Sequence, residues 1–155
     1  MPHFRSDDRV RVDIDGPVAL VCLTRGEKHN GMDLRMLDAV RRAARHLRRD
    51  RHVRAVILHG EGPSFCAGLD IKSVLGKPAV AALAVAALLS PARNRFQDWS
   101  MAWRDVAAPV IAAIHGNCFG AGLQLALGAD LRLATPDAQL SVMEVKWGLV
   151  PDMGG

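Results

Sequence analysis

The 155-residue sequence predicts an α/β layer fold, a coiled stack of repeated strand–strand–helix (ββα) units, and three observations carry that expectation. An amphipathic helix lies between two buried strands. Two apolar strands run straight into small-residue turns. A second helix starts directly after the later of those turns. Taken in order, Arg9 to Asp15 and Val18 to Thr24 alternate or run apolar around Gly16-Pro17, which predicts a β-hairpin whose second strand is the more buried. After the loop Arg25 to Gly31, residues Leu34, Leu37, Val40, Ala44 and Leu47 recur at helical spacing. They lie opposite Arg35, Arg41, Arg42, Arg45, Arg48 and Arg49, so Asp33 to Arg49 is an amphipathic helix with a basic, solvated outer face. Val53 to His59 is a short buried strand ended by Glu61-Gly62-Pro63. The Ala-rich segment Ser73 to Pro91 predicts a helix under or beside a pocket, and Asn94 to Val106 another helix. Val110 to Ile114 repeats the buried strand, Ala121 to Leu127 is helical, and Leu131–Ala134 and Gln139–Val142 are short strands.

Composition narrows the class. Half of the residues are hydrophobic and the net charge is +4, which suits one globular domain over residues 1–155 and excludes disorder, collagen and a disulfide-stapled miniprotein. The charged start MPHFRSDDRV has no signal-peptide core, and the longest apolar run, Ala79 to Leu89, is too short to span a bilayer, so a soluble cytoplasmic protein without a membrane partner is expected. Cys22, Cys66 and Cys118 are odd in number and widely spaced, which predicts buried thiols rather than disulfides or zinc. The six histidines show no ligand spacing, and no metal is expected. The arginine face lacks interleaved aromatics, so no nucleic acid is expected either.

Chemistry concentrates in three segments: FCAGLDIK (Phe65 to Lys72), PVIAAIHGNCFGAGLQ (Pro109 to Gln124) and SVMEVKWGLVPDMGG (Ser141 to Gly155). The first two each deliver an apolar strand into a turn of small residues with freed backbone N–H groups. Two such turns can polarise one carbonyl, because donors aimed at an oxygen that gains charge form an oxyanion hole. Taken alone, FCAGLDIK reads better as an ordinary strand-to-helix turn than as a ligand site. Gly116, Gly120 and Gly122 precede a helix whose N-terminal dipole favours negative charge, but a P-loop would need Lys-Ser/Thr and a dinucleotide fingerprint would need G-x-G-x-x-G. No G-x-S-x-G elbow is present, and neither Cys66 nor Cys118 has a base beside it in sequence.

Together, and in this order, the three segments resemble the crotonase superfamily, the enoyl-CoA hydratases and isomerases. The resemblance implies an α/β crotonase-like spiral of repeated ββα units and an acyl-CoA thioester as ligand, with coenzyme A entering as part of the substrate and no separate cofactor. It assigns the thioester oxygen to the N–H groups of Ala67 and Ala121, with Gly68 and Gly120 shaping those turns. Hydratases of the family use two glutamates; here the first position is Gln124 and the second is Glu144. A glutamine neither takes nor gives a proton near neutral pH, so double-bond isomerisation ranks above hydration. Dienoyl-CoA isomerases carry an Asp at the distance of Asp152, which makes Asp152 a second proton carrier or a turn residue. RGEKHNGMD resembles the family's coenzyme A loop, with Lys28 as the phosphate contact, and Leu69, Asp70, Ile71 and Lys72 match the segment lining the adenine site; Lys28 and Lys72 read equally as solvated charges. The family continues beyond the position of Gly155 into C-terminal helices that build trimers or hexamers, so the chain looks C-terminally truncated. The alternative functions are a non-catalytic acyl-CoA binding protein that has lost one acid at Gln124, and a structural fragment that assembles with other subunits.

Overall fold

Six strands form the main sheet in the computed structural model, which describes residues 4–6, 9–75, 94–148 and 150–154. β1 (Phe4–Ser6), β2 (Val10–Asp15) and β3 (Val18–Leu23) run antiparallel, the last two forming the hairpin read from Gly16-Pro17. From β3 the chain crosses through α1 (Leu34–Arg48) to β4 (Ala55–Gly60), and a crossover of that length makes the next pair parallel. β5 (Val110–Ile114) continues the parallel sheet, and after β6 (Asn117–Phe119) and α4 (Ala121–Leu127) the chain returns as β7 (Leu131–Ala134) at its edge. β8 (Gln139–Ser141) pairs in parallel with β6, and an isolated bridge joins Cys66 to Cys118 in the same direction. Each turn of the chain therefore lays one strand in the large sheet and a short one in a second ladder. This is the ββα repeat.

Asp33 starts α1 by accepting the N–H of Met36 at 2.7 Å, an N-cap of the kind that satisfies one of the orphan donors of a helix start. Met36, Leu37, Val40, Ala44 and Leu47 bury against β2 and the rest of the core, whose largest members include Leu23, Leu58, Phe65, Trp99 and Trp103. Each large side chain so removed from water stabilises the fold by roughly 1.5–3 kcal/mol. The outer face of α1 is not simply solvated. Arg41 Nη2 donates to Asp98 at 2.9 Å with both side chains mostly buried, Arg45 reaches the same carboxylate at 3.3 Å, and Arg95 pairs with Asp38. Part of the basic stripe is thus a seam onto α3 (Asp98–Arg104), formed because helix packing brings acids 57 residues away in sequence against it.

Several short elements differ from the sequence reading. β1 and β6 are three-residue strands with no pattern of their own. The strand read from Val53 starts at Ala55. The helix read from Asn94 starts at Asp98, because the Asn94 side chain accepts the N–H groups of Phe96 and Gln97 and forms a turn first. Of the helix read over Ser73 to Pro91, Ser73 to Leu75 belong to α2 (Ile71–Leu75), and residues 76–93 lie outside those described. No helix among the described residues is long and apolar enough to cross a membrane.

Candidate active site

Parallel pairing in register puts the C-terminal ends of β4 and β5 side by side, and the chain leaves both through tight turns. Phe65 N–H donates to His115 O at 2.8 Å, Cys66 N–H to Asn117 O at 3.1 Å, and Phe119 N–H returns to Cys66 O at 3.0 Å. These bonds bring the Ala67-Gly68 turn against the Gly120-Ala121 turn. Gly68 has φ +97, and a Cβ there would stand 2.8 Å from Phe119 O and 3.7 Å from the Ala121 nitrogen, so only glycine lets the turns meet. At Gly122 a Cβ would fall 2.1 Å from Cys66 O, which shows how closely α4 seats on the first turn. The Ala121 N–H, at the start of α4, has no acceptor among the described residues, while its carbonyl takes the indole N–H of Trp99 at 2.7 Å.

Glu144 arrives on a 3-10 turn, Met143–Trp147, that the sequence reading did not anticipate. A Cβ placed on Gly120 would lie 3.4 and 3.5 Å from its two carboxylate oxygens, so the carboxylate rests beside the start of α4. Oε1 accepts from Gln124 Nε2 at 2.6 Å, and Oε2 is buried with no partner among the described residues. Gln124, only 4% exposed, in turn accepts the Met153 N–H on its own Oε1 at 2.6 Å. Glu144, Gln124 and Ala121, read separately from the sequence, therefore form one cluster. Asp152 is exposed and its Oδ1 accepts at 3.3 Å from Nε2 of Gln97, the residue that precedes α3.

The Ala67 N–H, which the resemblance assigns to the thioester oxygen, is engaged within the protein. It donates to His29 O at 2.9 Å, because His29 and Asn30 adopt left-handed φ values of 50 and 53 and fold the Arg25 to Gly31 loop back over the turn. Asp70 is likewise tied into the protein. It accepts from Arg25 Nη2 at 2.9 Å and from Ser73 Oγ at 2.7 Å; burial pushes its carboxyl up, but the Ser73 hydrogen bonds and the Arg25 charge hold it below the ordinary value. Its Oδ1 also accepts the Ser73 N–H at 3.2 Å, in the first turn of α2. Lys28, Ile71 and Lys72 are exposed on the flank of the same loop, and Leu69 packs partly into the core.

The residues that hold this loop went unread. Arg25 is 7% exposed and donates to Gly31 O at 2.8 Å as well as to Asp70. Asn30 is fully buried, accepting the Arg25 N–H and donating to Glu61 O and Ser64 O, while His29 Nδ1 lies 2.9 Å from Ser64 Oγ. A signal existed, since His and Asn are enriched among non-glycine residues with positive φ and here stand directly before Gly31.

Residues 13–155 match the enoyl-CoA hydratase/isomerase family. The chain belongs to this family. It is 34% identical over 150 residues to the probable enoyl-CoA hydratase echA12 of Mycobacterium leprae, covering 96% of this chain and 51% of that protein. It is 33% identical over 138 residues to the mitochondrial Δ(3,5)-Δ(2,4)-dienoyl-CoA isomerase of Rattus norvegicus, covering 86% of this chain and 42% of the other. A crystal structure assigned to an enoyl-CoA hydratase from Streptomyces coelicolor A3(2) superposes with a TM-score of 0.84 at 37% identity, over 99% of this chain and 54% of that one. The chain spans about half the length of the relatives it matches. Crotonase-fold neighbours agree with the spiral of ββα units described above. Burial pushes the Cys66 and Cys118 thiols up to about 12, so both stay protonated at neutral pH.

Proposed function

We propose that the protein acts on an enoyl-CoA thioester and moves its double bond, with Glu144 as the single acid–base group. The observation that carries this reading is the Glu144 carboxylate, with one buried oxygen that has no partner among the described residues, lying beside the Ala121 N–H, which has no acceptor among them, while an amide fills the neighbouring position. Glu144 Oε2 takes a proton from the carbon adjacent to the double bond, and the C–H electron pair flows through the conjugated system to the thioester oxygen. The Ala121 N–H stabilises that oxygen, and Ala67 joins it when the thioester oxygen displaces the His29 carbonyl. The same proton returns to the far carbon of the allylic system, so no water and no second base are consumed. The dienoyl-CoA isomerase among the relatives lends the reaction class support.

The test offers 2-enoyl-, 3-enoyl- and 3,5-dienoyl-CoA and follows double-bond migration and hydration together, with Glu144→Gln as control. Migration that falls about 10²- to 10⁴-fold in the variant, with binding of the thioester unchanged, is the expected result. Binding without turnover in the parent protein would replace this reading with that of an acyl-CoA binding protein, and rapid hydration would make it a hydratase.

A further inference from the structure

Gln124 is buried on α4, and both ends of its amide are committed. Its Oε1 receives the Met153 N–H and its Nε2 donates to Glu144 Oε1, each at 2.6 Å. A backbone N–H can only donate, so the amide has one permitted orientation and its NH2 group must face Glu144. The carboxylate is then held by one oxygen and leaves Oε2 as the other. We propose that Gln124 is the positioning residue of the site: it fixes Glu144 so that Oε2 alone transfers protons, and it restricts the enzyme to one-base chemistry. The inference rests on the reading of Glu144 as the acid–base group.

Three physical points support it. A carboxylate free to rotate would present either oxygen, whereas a contact at 2.6 Å to a side chain buried on a helix removes that freedom. The amide cannot ionise near neutral pH, so it cannot take the proton of a water, and addition of water across the double bond lacks the second group it needs. Migration balances without that group, because the proton that leaves one carbon for Oε2 is the proton returned to the other. The amide also ties Glu144 to the backbone 29 residues from Gln124, so the segment from Asp152 to Met153 contributes to the site through its main chain rather than through the Asp152 carboxylate.

Two variants of the full chain separate the possibilities. Gln124→Met keeps the volume and removes both hydrogen bonds; kcat for migration should fall about 10- to 100-fold while KM stays within about threefold, as expected of misplacement rather than lost binding. Gln124→Glu sets two carboxyls in contact, which forces one of them to hold a proton and so restores a bridge. It should keep migration within about tenfold of the parent and gain hydration of 2-enoyl-CoA. Unchanged kcat in Gln124→Met, or hydration by the parent as fast as migration, would overturn the inference. If Glu144→Gln leaves turnover intact, the Glu144 reading itself falls; if that variant is dead and Gln124→Met is normal, only the positioning role falls. A readout free of activity is amide exchange at Met153, which should be protected in the parent and at least about tenfold faster in Gln124→Met. An unprotected Met153 amide in the parent would remove the latch.

Discussion

β5 and β7 are neighbours in one parallel sheet, paired Ile111 with Leu131 and Ala113 with Leu133, yet they live in opposite environments. Val110, Ala112 and Ile114 are at most 2% exposed and Ile111 and Ala113 are half-buried, whereas all of β7 is exposed, Leu131 at 57% and Leu133 at 66%. Both segments are read as strands from the sequence, Val110 to Ile114 as a buried one and Leu131 to Ala134 only as a short one. The difference teaches that strand formation here follows from the hydrogen-bonded ladder, while burial follows from what packs on the ladder's faces, and those are separate facts about a sequence. Val56 and Leu58 of β4 and Val110, Ala112 and Ile114 of β5 share one buried cluster with residues of α1, α3 and α4. β7 and the neighbouring Leu140, Val142, Val145 and Val150 leave apolar surface facing solvent.

The comparison breaks hardest at Trp99. The side chain is fully buried and its indole N–H holds Ala121 O, so it supports the core and the start of α4 at once. Trp99→Ala should cost about 3–5 kcal/mol in a urea or thermal unfolding measurement. A loss under about 1 kcal/mol would mean that the well-packed half is no better consolidated than the β7 edge.

Asp33 sharpens the same contrast through electrostatics. Burial pushes its carboxyl up, but the Met36 N–H, the hydrogen bond and charge of Arg9 and the charge of Arg25 together hold it below the ordinary value. A depressed folded-state value contributes stability above the unfolded-state pKa, about 3.9, and loses it as pH falls through the folded-state value. Asp33→Ala should therefore cost about 2 kcal/mol at pH 7, with the gap to the parent shrinking below about pH 4. A gap that is the same at pH 3 and pH 7 would show that the charge plays no part.

How much of this was legible follows from distance along the chain. The periodicity of Leu34 to Leu47 and the apolar run Val110 to Ile114 are local, and those elements stand where their own residues put them. The Gly120-Ala121 turn and Glu144 were legible as motifs, and the fold brings them together. What stayed hidden depends on remote partners: β6 exists because β8 lies beside it, the α1 arginines meet Asp98 only once α3 packs, and Gln124 meets Met153 only once the chain has come round again. The His29 carbonyl on Ala67 is hidden for a related reason, since two left-handed residues redirect a loop whose composition suggests only a turn.

The smallest expected effect tests the exposed side of the comparison. Leu133 lies in register with Ala113 but gives most of its surface to water, so truncating it removes little buried area and leaves no cavity. Leu133→Ala should change the unfolding free energy by less than about 0.5 kcal/mol, against the 2–5 kcal/mol that a buried leucine such as Leu58 would lose on the same truncation. Dilution decides what a larger effect would mean. If the Leu133→Ala cost is large and vanishes as protein concentration falls, a second molecule covers β7 in solution, and the contrast between the two strands belongs to the isolated chain rather than to the strands themselves.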